Sequence, residues 1–353
     1  MDLHELVNSP GQWLCGDGPE SGIVISTRIR LARNIAGYPF LKRMTGDQRV
    51  DLQARVRKAV DESAALKSIA CLNLETASHM DRQFLVERHL ISRELAAGEG
   101  SRAVVFSRSE AESIMVNEED HLRMQVLRSG LQLLPAWQQA SLLDDQLEPR
   151  LDFAYSSRLG FLTACPTNVG TGLRASVMMH LPALVITRQI EKVFQAIGRM
   201  RLAVRGLYGE GTQASGDFYQ ISNQVTLGKT EDEILETLTL TIPRIIDYER
   251  KARETLARES EVFLEDRIWR ALGILRHARQ ISSEETMALL SAVRMGVNVG
   301  RIRGLDVATV NHLFIGSQPG HLQIRHGREL SQADRDAARA DFIRQTLQAA
   351  PLN

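Results

Sequence analysis

Residues 22–32 read GIVISTRIRLA, and the alternation of apolar and polar side chains along them predicts a half-buried β-strand. Ile23, Ile25, Ile29 and Leu31 fall on one face of such a strand, and Ser26, Arg28 and Arg30 on the other. Two guanidinium groups held side by side repel one another, so an anion between them is attractive. Phosphate suits the planar, bidentate donors of arginine. A solvated strand face is the competing reading of this stretch taken alone.

Around that strand lies a chain of 353 residues, 43% hydrophobic and 24% charged, enough for one large domain or two ordinary ones with a real core. Its 43 basic side chains balance 43 acidic ones, so no global field attracts nucleic acid or anionic lipid, and any basic site must be local. The opening MDLHELVNSPGQWLCGDG lacks the basic start and apolar run of a signal peptide, and no later stretch is apolar for long enough to span a bilayer. The expectation is a cytoplasmic protein that binds neither membrane nor nucleic acid. Cys15, Cys71 and Cys165 are odd in number with no close pair, which suits free thiols better than a disulfide framework or a four-sulfur zinc site.

Up to about Gly228 strand-like and helical patterns alternate, and beyond it the pattern is almost purely helical. A helix is expected to run through Pro243, followed by one whose apolar stripe is Leu264, Ile268, Ala271 and Leu275, and by another opened by Ser282 with Glu285 at capping-box spacing. These patterns divide the chain near residue 258, into 1–258 and a helical 259–353.

Three further stretches carry chemistry. In IMVNEEDHLRMQ (residues 114–125), a continuous strand would put Asn117, Glu119, His121 and Arg123 on one face and Glu118, Asp120 and Leu122 on the other. A carboxylate and an arginine would then share one space; a metal site or a plain acidic edge strand are the alternatives. In FLTACPTNVGTG (residues 161–172), Cys165 stands between an apolar run and a turn rich in Pro, Asn and Gly, a place suited to touching a ligand, with a small buried residue as the bland alternative. In RGLYGEGTQASGDFYQISNQ (residues 205–224), Glu210 sits between glycines in a segment with the composition of a mobile flap. No Walker-type GxxxxGK[ST] sequence is present.

Taken in order, ISTRIRLARNIAGYPF, NEEDHLRMQ, CPTNVGTGLRAS and RGLYGEGTQASGDFYQISNQ strongly resemble the ATP:guanido phosphotransferases, the phosphagen kinase superfamily. The resemblance implies an α+β fold. Its catalytic domain would be glutamine synthetase-like, an antiparallel sheet flanked by helices, followed here by a C-terminal all-helical domain. It also implies transfer of the γ-phosphoryl group of ATP to a guanidinium nitrogen, with Mg²⁺ bridging the phosphates. Arg28, Arg30, Arg123, Arg174 and Arg205 would form the phosphate-binding ring, as a charge-neutralising phosphoryl transfer requires. Glu119 and Glu210 would hold the acceptor guanidinium and receive its proton as the N–P bond forms, and Cys165 would lie against the acceptor as an electrostatic partner.

Only 25 residues precede Ser26, whereas kinases of small guanidino compounds carry a whole helical domain there. The arrangement, with RGLDVATVNHLFIGSQPGHLQ and RDAARA in the C-terminal half, is similar to the bacterial protein-arginine kinases. That resemblance implies protein substrates with accessible arginines, a homodimer, a zinc-binding activator protein and delivery of marked proteins to a Clp protease. A kinase of a small guanidino compound and a catalytically silent phosphoarginine-binding adaptor are the competing functions. Gln213 stands where many relatives have a second flap glutamate, so flap closure or substrate choice could differ. In SQADRDAARADFIRQ, Ser331 and Asp334 have capping-box spacing; Arg335 and Arg339 share a helix face, with Asp336 about 100° around it. A solvated, salt-bridged helix is one reading, and the resemblance implies another: Arg335, Asp336 and Arg339 form an allosteric phosphoarginine pocket.

Overall fold

In the computed structural model, which describes residues 3–8, 11–63, 69–206 and 216–349, the alternating stretch is strand β1 (Val24–Arg33). The other strands are β2 (Ile69–Asn73), β3 (Ala103–Ser107), β4 (Glu112–Val116), β5 (Leu122–Ser129), the two-residue β6 (Tyr155–Ser156) and β7 (Gly160–Phe161), β8 (Leu173–His180), β9 (Leu202–Gly206) and β10 (Phe218–Asn223). Eight of them form one sheet in the order β2-β3-β4-β5-β1-β8-β10-β9, antiparallel at every pairing. β1 is therefore interior, and an interior strand needs one face to pack against helices.

That face carries Thr27, Ile29 and Leu31, all fully buried. It does not carry Ile25, contrary to the alternation expected from sequence. A register shift between Val24 and Ser26 makes Ile25 the extra residue of a bulge, so Val24, opposite Met179, takes the core position. Ile25 turns instead toward Met178, Trp13 and Phe314. Beneath the sheet, helix α5 (Leu133–Leu151) packs on β1 and β5, and α8 (Glu231–Glu259) packs on β8 and β10. α8 runs through Pro243 and begins with a reciprocal capping box between Thr230 and Glu233.

The remaining helices before α8 are α1 (Leu3–Val7), α2 (Gly46–Asp61), α3 (His79–Glu87), α4 (Arg93–Ala97), α6 (Pro182–Ile186) and α7 (Ile190–Arg199). After it come α9 (Glu261–His277), α10 (Ser283–Asn298), α11 (Val307–Gly316), α12 (Pro319–His326) and α13 (Gln332–Ala349). The expected stripe of α9 is buried throughout, and Ser282 caps α10 by accepting from the Glu285 amide. One apolar cluster joins Ile29 of β1, Leu238 of α8, Leu290 of α10 and Ile343 of α13, so the sheet and the C-terminal helices share a core. Arg294 of α10 is fully buried there and donates to the carbonyls of Ser21 and Gly22 and to Asn311. A second cluster lies under α3 and α4 and includes Ile324 of α12.

Candidate active site

The uncovered face of the sheet is polar because each strand crossing it contributes alternate residues. In the β1–β8 register Arg30 stands opposite Arg174, in the β1–β5 register Ala32 stands opposite Arg123, and in the β10–β9 register Gln220 stands opposite Arg205. Arg28, Arg30, Arg123, Arg174 and Arg205 thus line one cleft of about 450 Å³, together with His89, Glu118, Glu119 and Cys165. The five arginines expected to bind phosphate are brought together.

Like charges crowd one another in the cleft. Burial, then the neighbouring Arg174, Arg123 and Arg205, pull the Arg28 guanidinium down to about 10. Burial and the same kind of crowding hold Arg30 well below its ordinary value, with Glu118 opposing. Arg28 donates to Gln220 Oε1 at 2.9 Å and Arg174 to Ser222 Oγ at 3.2 Å. Arg30 Nε is buried with no hydrogen-bond partner among the described residues. A donor left in that state carries a desolvation cost that a phosphate oxygen would remove.

The acidic stretch is not a continuous strand. β4 ends at Val116 and β5 begins at Leu122, and Asn117 between them takes a left-handed φ of 60°. The chain reverses over residues 117–121, so the expected separation of Glu118 from Glu119 fails: both reach Arg123. Arg123 donates to Glu118 and, at 3.2 Å, to Glu119 Oε2. Glu118 also accepts from Ser92 Oγ and from the Glu119 amide. Burial raises the Glu119 carboxyl, Arg123 opposes, and Asp120 and Glu118 add to the rise.

Asp120 points inward, fully buried, and accepts from Asn34 Nδ2 at 2.7 Å and the Ala164 amide at 2.6 Å. It thereby ties the acidic turn to the segment that carries Cys165. His121 accepts from the Ile35 amide through Nδ1, and its Nε2 lies 3.0 Å from the Pro39 carbonyl, so both ring nitrogens are engaged structurally. Among the described residues no three His, Cys, Asp or Glu side chains gather as a metal cage.

Cys165 lies on the cleft wall, its Sγ 3.0 Å from Thr167 Oγ1, and its carbonyl accepts from Thr163. Gly172 closes this loop at φ 65°, where a Cβ would come 2.6 Å from the Ala32 carbonyl. Glu210 and Gln213 lie outside the described residues.

His89, Ser92 and Arg93 escaped the sequence reading. His89 sits at the end of α3 with a left-handed φ of 58° and packs edge-on against Trp13 at 5.1 Å between centroids. Burial, then Arg28 and Arg30, hold it down to about 3, so it meets the cleft as a neutral imidazole. No motif marks it; only the fold brings residue 89 to the β1 arginines.

Away from the cleft, Ser331 accepts from the Asp334 amide as expected, and Arg335 donates to the Leu330 carbonyl. Arg339 is not on a solvated helix face, one of the two readings of this stretch. It is 1% exposed and donates to the carbonyls of Ser317 and Ile281 and to Asp336.

The family described as ATP:guanido phosphotransferase, C-terminal catalytic domain, matches residues 51–252. The chain belongs to the ATP:guanido phosphotransferases. Residues 261–353 match a second family, described as the protein-arginine kinase McsB C-terminal domain. A protein-arginine kinase of Moorella thermoacetica is 50% identical over 350 residues, 98% of this chain and 99% of the relative. The protein-arginine kinase of Bacillus subtilis is 43% identical over 346 residues, 98% of this chain and 95% of the relative. Among solved structures, a lombricine kinase superposes with a TM-score of 0.59 at 26% identity, covering 67% of this chain and 69% of that one. A duplicated taurocyamine kinase from Schistosoma mansoni with transition-state analogue components gives 0.61 at 26% identity, covering 67% and 34%. The α+β phosphagen-kinase fold expected from the motifs is the fold observed, and this phosphotransferase is an enzyme.

Proposed function

We propose that this phosphotransferase moves the γ-phosphoryl group of ATP to arginine side chains of proteins. The observation that carries the reading is the single cleft in which five arginines adjoin Glu119 and Cys165. The protein-arginine kinase names of relatives aligned over nearly the whole chain support the acceptor class.

In this reading Arg28, Arg30, Arg123, Arg174 and Arg205 cradle the phosphates, with Arg30 Nε supplying an unused donor. Bound with ATP, Mg²⁺ would supply charge neutralisation across the phosphates, and Glu94, Glu118 and Glu119 are the cleft carboxylates that its hydration shell would meet. The bond between the γ-phosphorus and its bridging oxygen breaks, an N–P bond forms and ADP leaves. The guanidinium proton passes to a carboxylate as the nitrogen grows acidic. Glu119, raised by burial and held by Arg123, is placed for that task, with Glu210 as its partner from the flap. Cys165 faces the acceptor as a polarisable electrostatic neighbour.

Residues 1–258 form the catalytic domain in this proposal and 259–353 a domain for dimerisation and regulation. Val262, Phe263, Trp269 and Ile274 expose apolar surface along α9, which suits a second copy of the chain. Arg335, Asp336 and Arg339 are proposed as an allosteric phosphoarginine site, in which Arg339 acts from within by holding the α11–α12 connection. A zinc-binding activator, a Clp protease that consumes the product and a cytoplasmic setting complete the reading. Among the described residues no helix is long and apolar enough to cross a membrane.

The test is incubation with γ-labelled ATP and Mg²⁺, offered either an arginine-rich protein or free arginine. Acid-labile label on the protein supports the proposal. Label on free arginine alone would assign the enzyme to small guanidino compounds, and retention of phosphoarginine without transfer would make it an adaptor.

A further inference from the structure

Three consecutive residues at the end of α3 face three different neighbours. Glu87 is buried and points at the first turn of α12: its Oε1 accepts from the Gly320 amide at 2.7 Å, and its Oε2 accepts from the His321 amide at 3.0 Å and lies 2.8 Å from His321 Nδ1. Arg88 pairs with Glu110, in the turn between β3 and β4, and approaches His321 Nε2 at 3.4 Å. His89 enters the cleft beside Arg28 and Arg30.

Backbone hydrogen bonds tie the joint between these neighbours. The Arg88 amide donates to Phe84, the His89 amide to Val86 and the Leu90 amide to Leu85, closing the helix end, and the His89 carbonyl accepts from Gln125 of β5. Nor does α12 have room to slide, because a Cβ at Gly320 would come within 2.8 Å of both Glu87 Oε2 and the Phe84 amide nitrogen.

We infer that Glu87 is a positioning residue for phosphoryl transfer: by gripping the first turn of α12 it fixes the end of α3 from which His89 meets the phosphate-binding arginines. The inference rests on the reading of the cleft as an ATP site and adds that the C-terminal helices set the nucleotide half of that site. Coupling of this kind is reciprocal, so ATP must tighten the grip as the grip tightens ATP.

The experiment measures ATP dissociation constants by calorimetry on the full-length chain and thermal midpoints alongside. Glu87→Ala, which empties the grip, and Gly320→Ala, which pushes α12 away, are each expected to weaken ATP binding about ten-fold. Glu87→Gln keeps an acceptor for the Gly320 amide but turns its NH2 group toward the His321 amide, so it holds half of the grip and is expected to weaken ATP binding by about three-fold, between wild type and Glu87→Ala. Leu347→Ala on α13, a fully buried position outside the grip, serves as the comparison: it should lower the midpoint and leave ATP affinity within about two-fold. If Glu87→Ala and Gly320→Ala shift the midpoint but not the affinity, the grip is structural only and the inference fails. Should both variants fail to fold, amide exchange on the wild-type protein decides: ATP is expected to slow exchange at Gly320 and His321, and unchanged exchange overturns the inference. A wild-type protein that binds ATP yet phosphorylates no protein would sink the proposed function while leaving this test intact.

Discussion

In the proposed reaction Glu119 has two tasks, to grip a cation and to accept a proton as the transition state forms. Burial raises its carboxyl, which favours proton acceptance, and Arg123 opposes that rise. Replacing Glu119 with Gln keeps its shape and removes the proton acceptor. Turnover is expected to fall by about 10²- to 10⁴-fold, while ATP affinity, which the proposal assigns to the five arginines, changes by less than about two-fold. Single-turnover kinetics beside calorimetry check the split, and a variant with near-normal turnover would remove Glu119 from the chemistry. Glu87 offers a second measurement. Burial pushes its carboxyl up to about 8 from 4.5, against the lowering pull of the Gly320 and His321 amides and of Arg339. The groups around it are His321 from α12, the Arg88–Glu110 pair and Arg339 from α13. Between those two pH values the folded protein keeps a proton that the unfolded chain has released, so this group's contribution to stability is full below the lower value. It declines as pH rises through the window and levels off above the upper one. Glu87→Gln, neutral throughout, should flatten that decline, as read from urea midpoints at several pH values across the window.

Secondary-structure elements transmit these local arrangements through buried polar anchors. Arg294 of α10 is pulled down to about 9, by burial first and Arg253 second, yet among the described residues it has no carboxylate partner; it donates to Ser21, Gly22 and Asn311 and meets His180 Nδ1. Arg294→Met fills the volume and strands those acceptors, so a loss of about 3 kcal/mol or more is expected in denaturant titration. A loss near zero would mean that water or a shifted side chain satisfies them. How much of this was readable beforehand follows from the range of the forces involved. The β1 arginines were readable because strand alternation is a local property, and so were the caps of α10 and α13, which involve residues three apart. The turn at Asn117 was not, because a left-handed residue inside a polar run leaves no periodic trace, and the bulge at Ile25 depends on the partner strand β8. The burial of Arg339 and the placement of His89 and Glu87 were beyond reach for the same reason. Their partners lie on elements distant in the chain, and a charged residue on a helix looks solvated until those partners are placed.

Across the whole molecule the catalytic sheet and the C-terminal helices are joined in two ways, by the apolar cluster running from Ile29 through Leu238 to Ile343 and by the polar anchors at Glu87 and Arg294. A boundary at the α8–α9 junction therefore separates elements without separating cores. Two units with independent cores unfold independently, whereas elements that share one core lose it together. Calorimetry on the full chain is thus expected to give one unfolding transition. In the proposed function ATP binds the folded state, and a ligand that binds only that state adds about 2.7 kcal/mol at one hundred times its dissociation constant. That increment should move the single transition as a unit, and near-ultraviolet dichroism, to which Trp13 beside the cleft, Trp137 on α5 and Trp269 on α9 all contribute, should report the same shifted midpoint. Two calorimetric transitions, with ATP moving only one of them, would instead show that the helical segment folds on its own, and the route proposed from α12 to the nucleotide would then lack a cooperative unit to carry it.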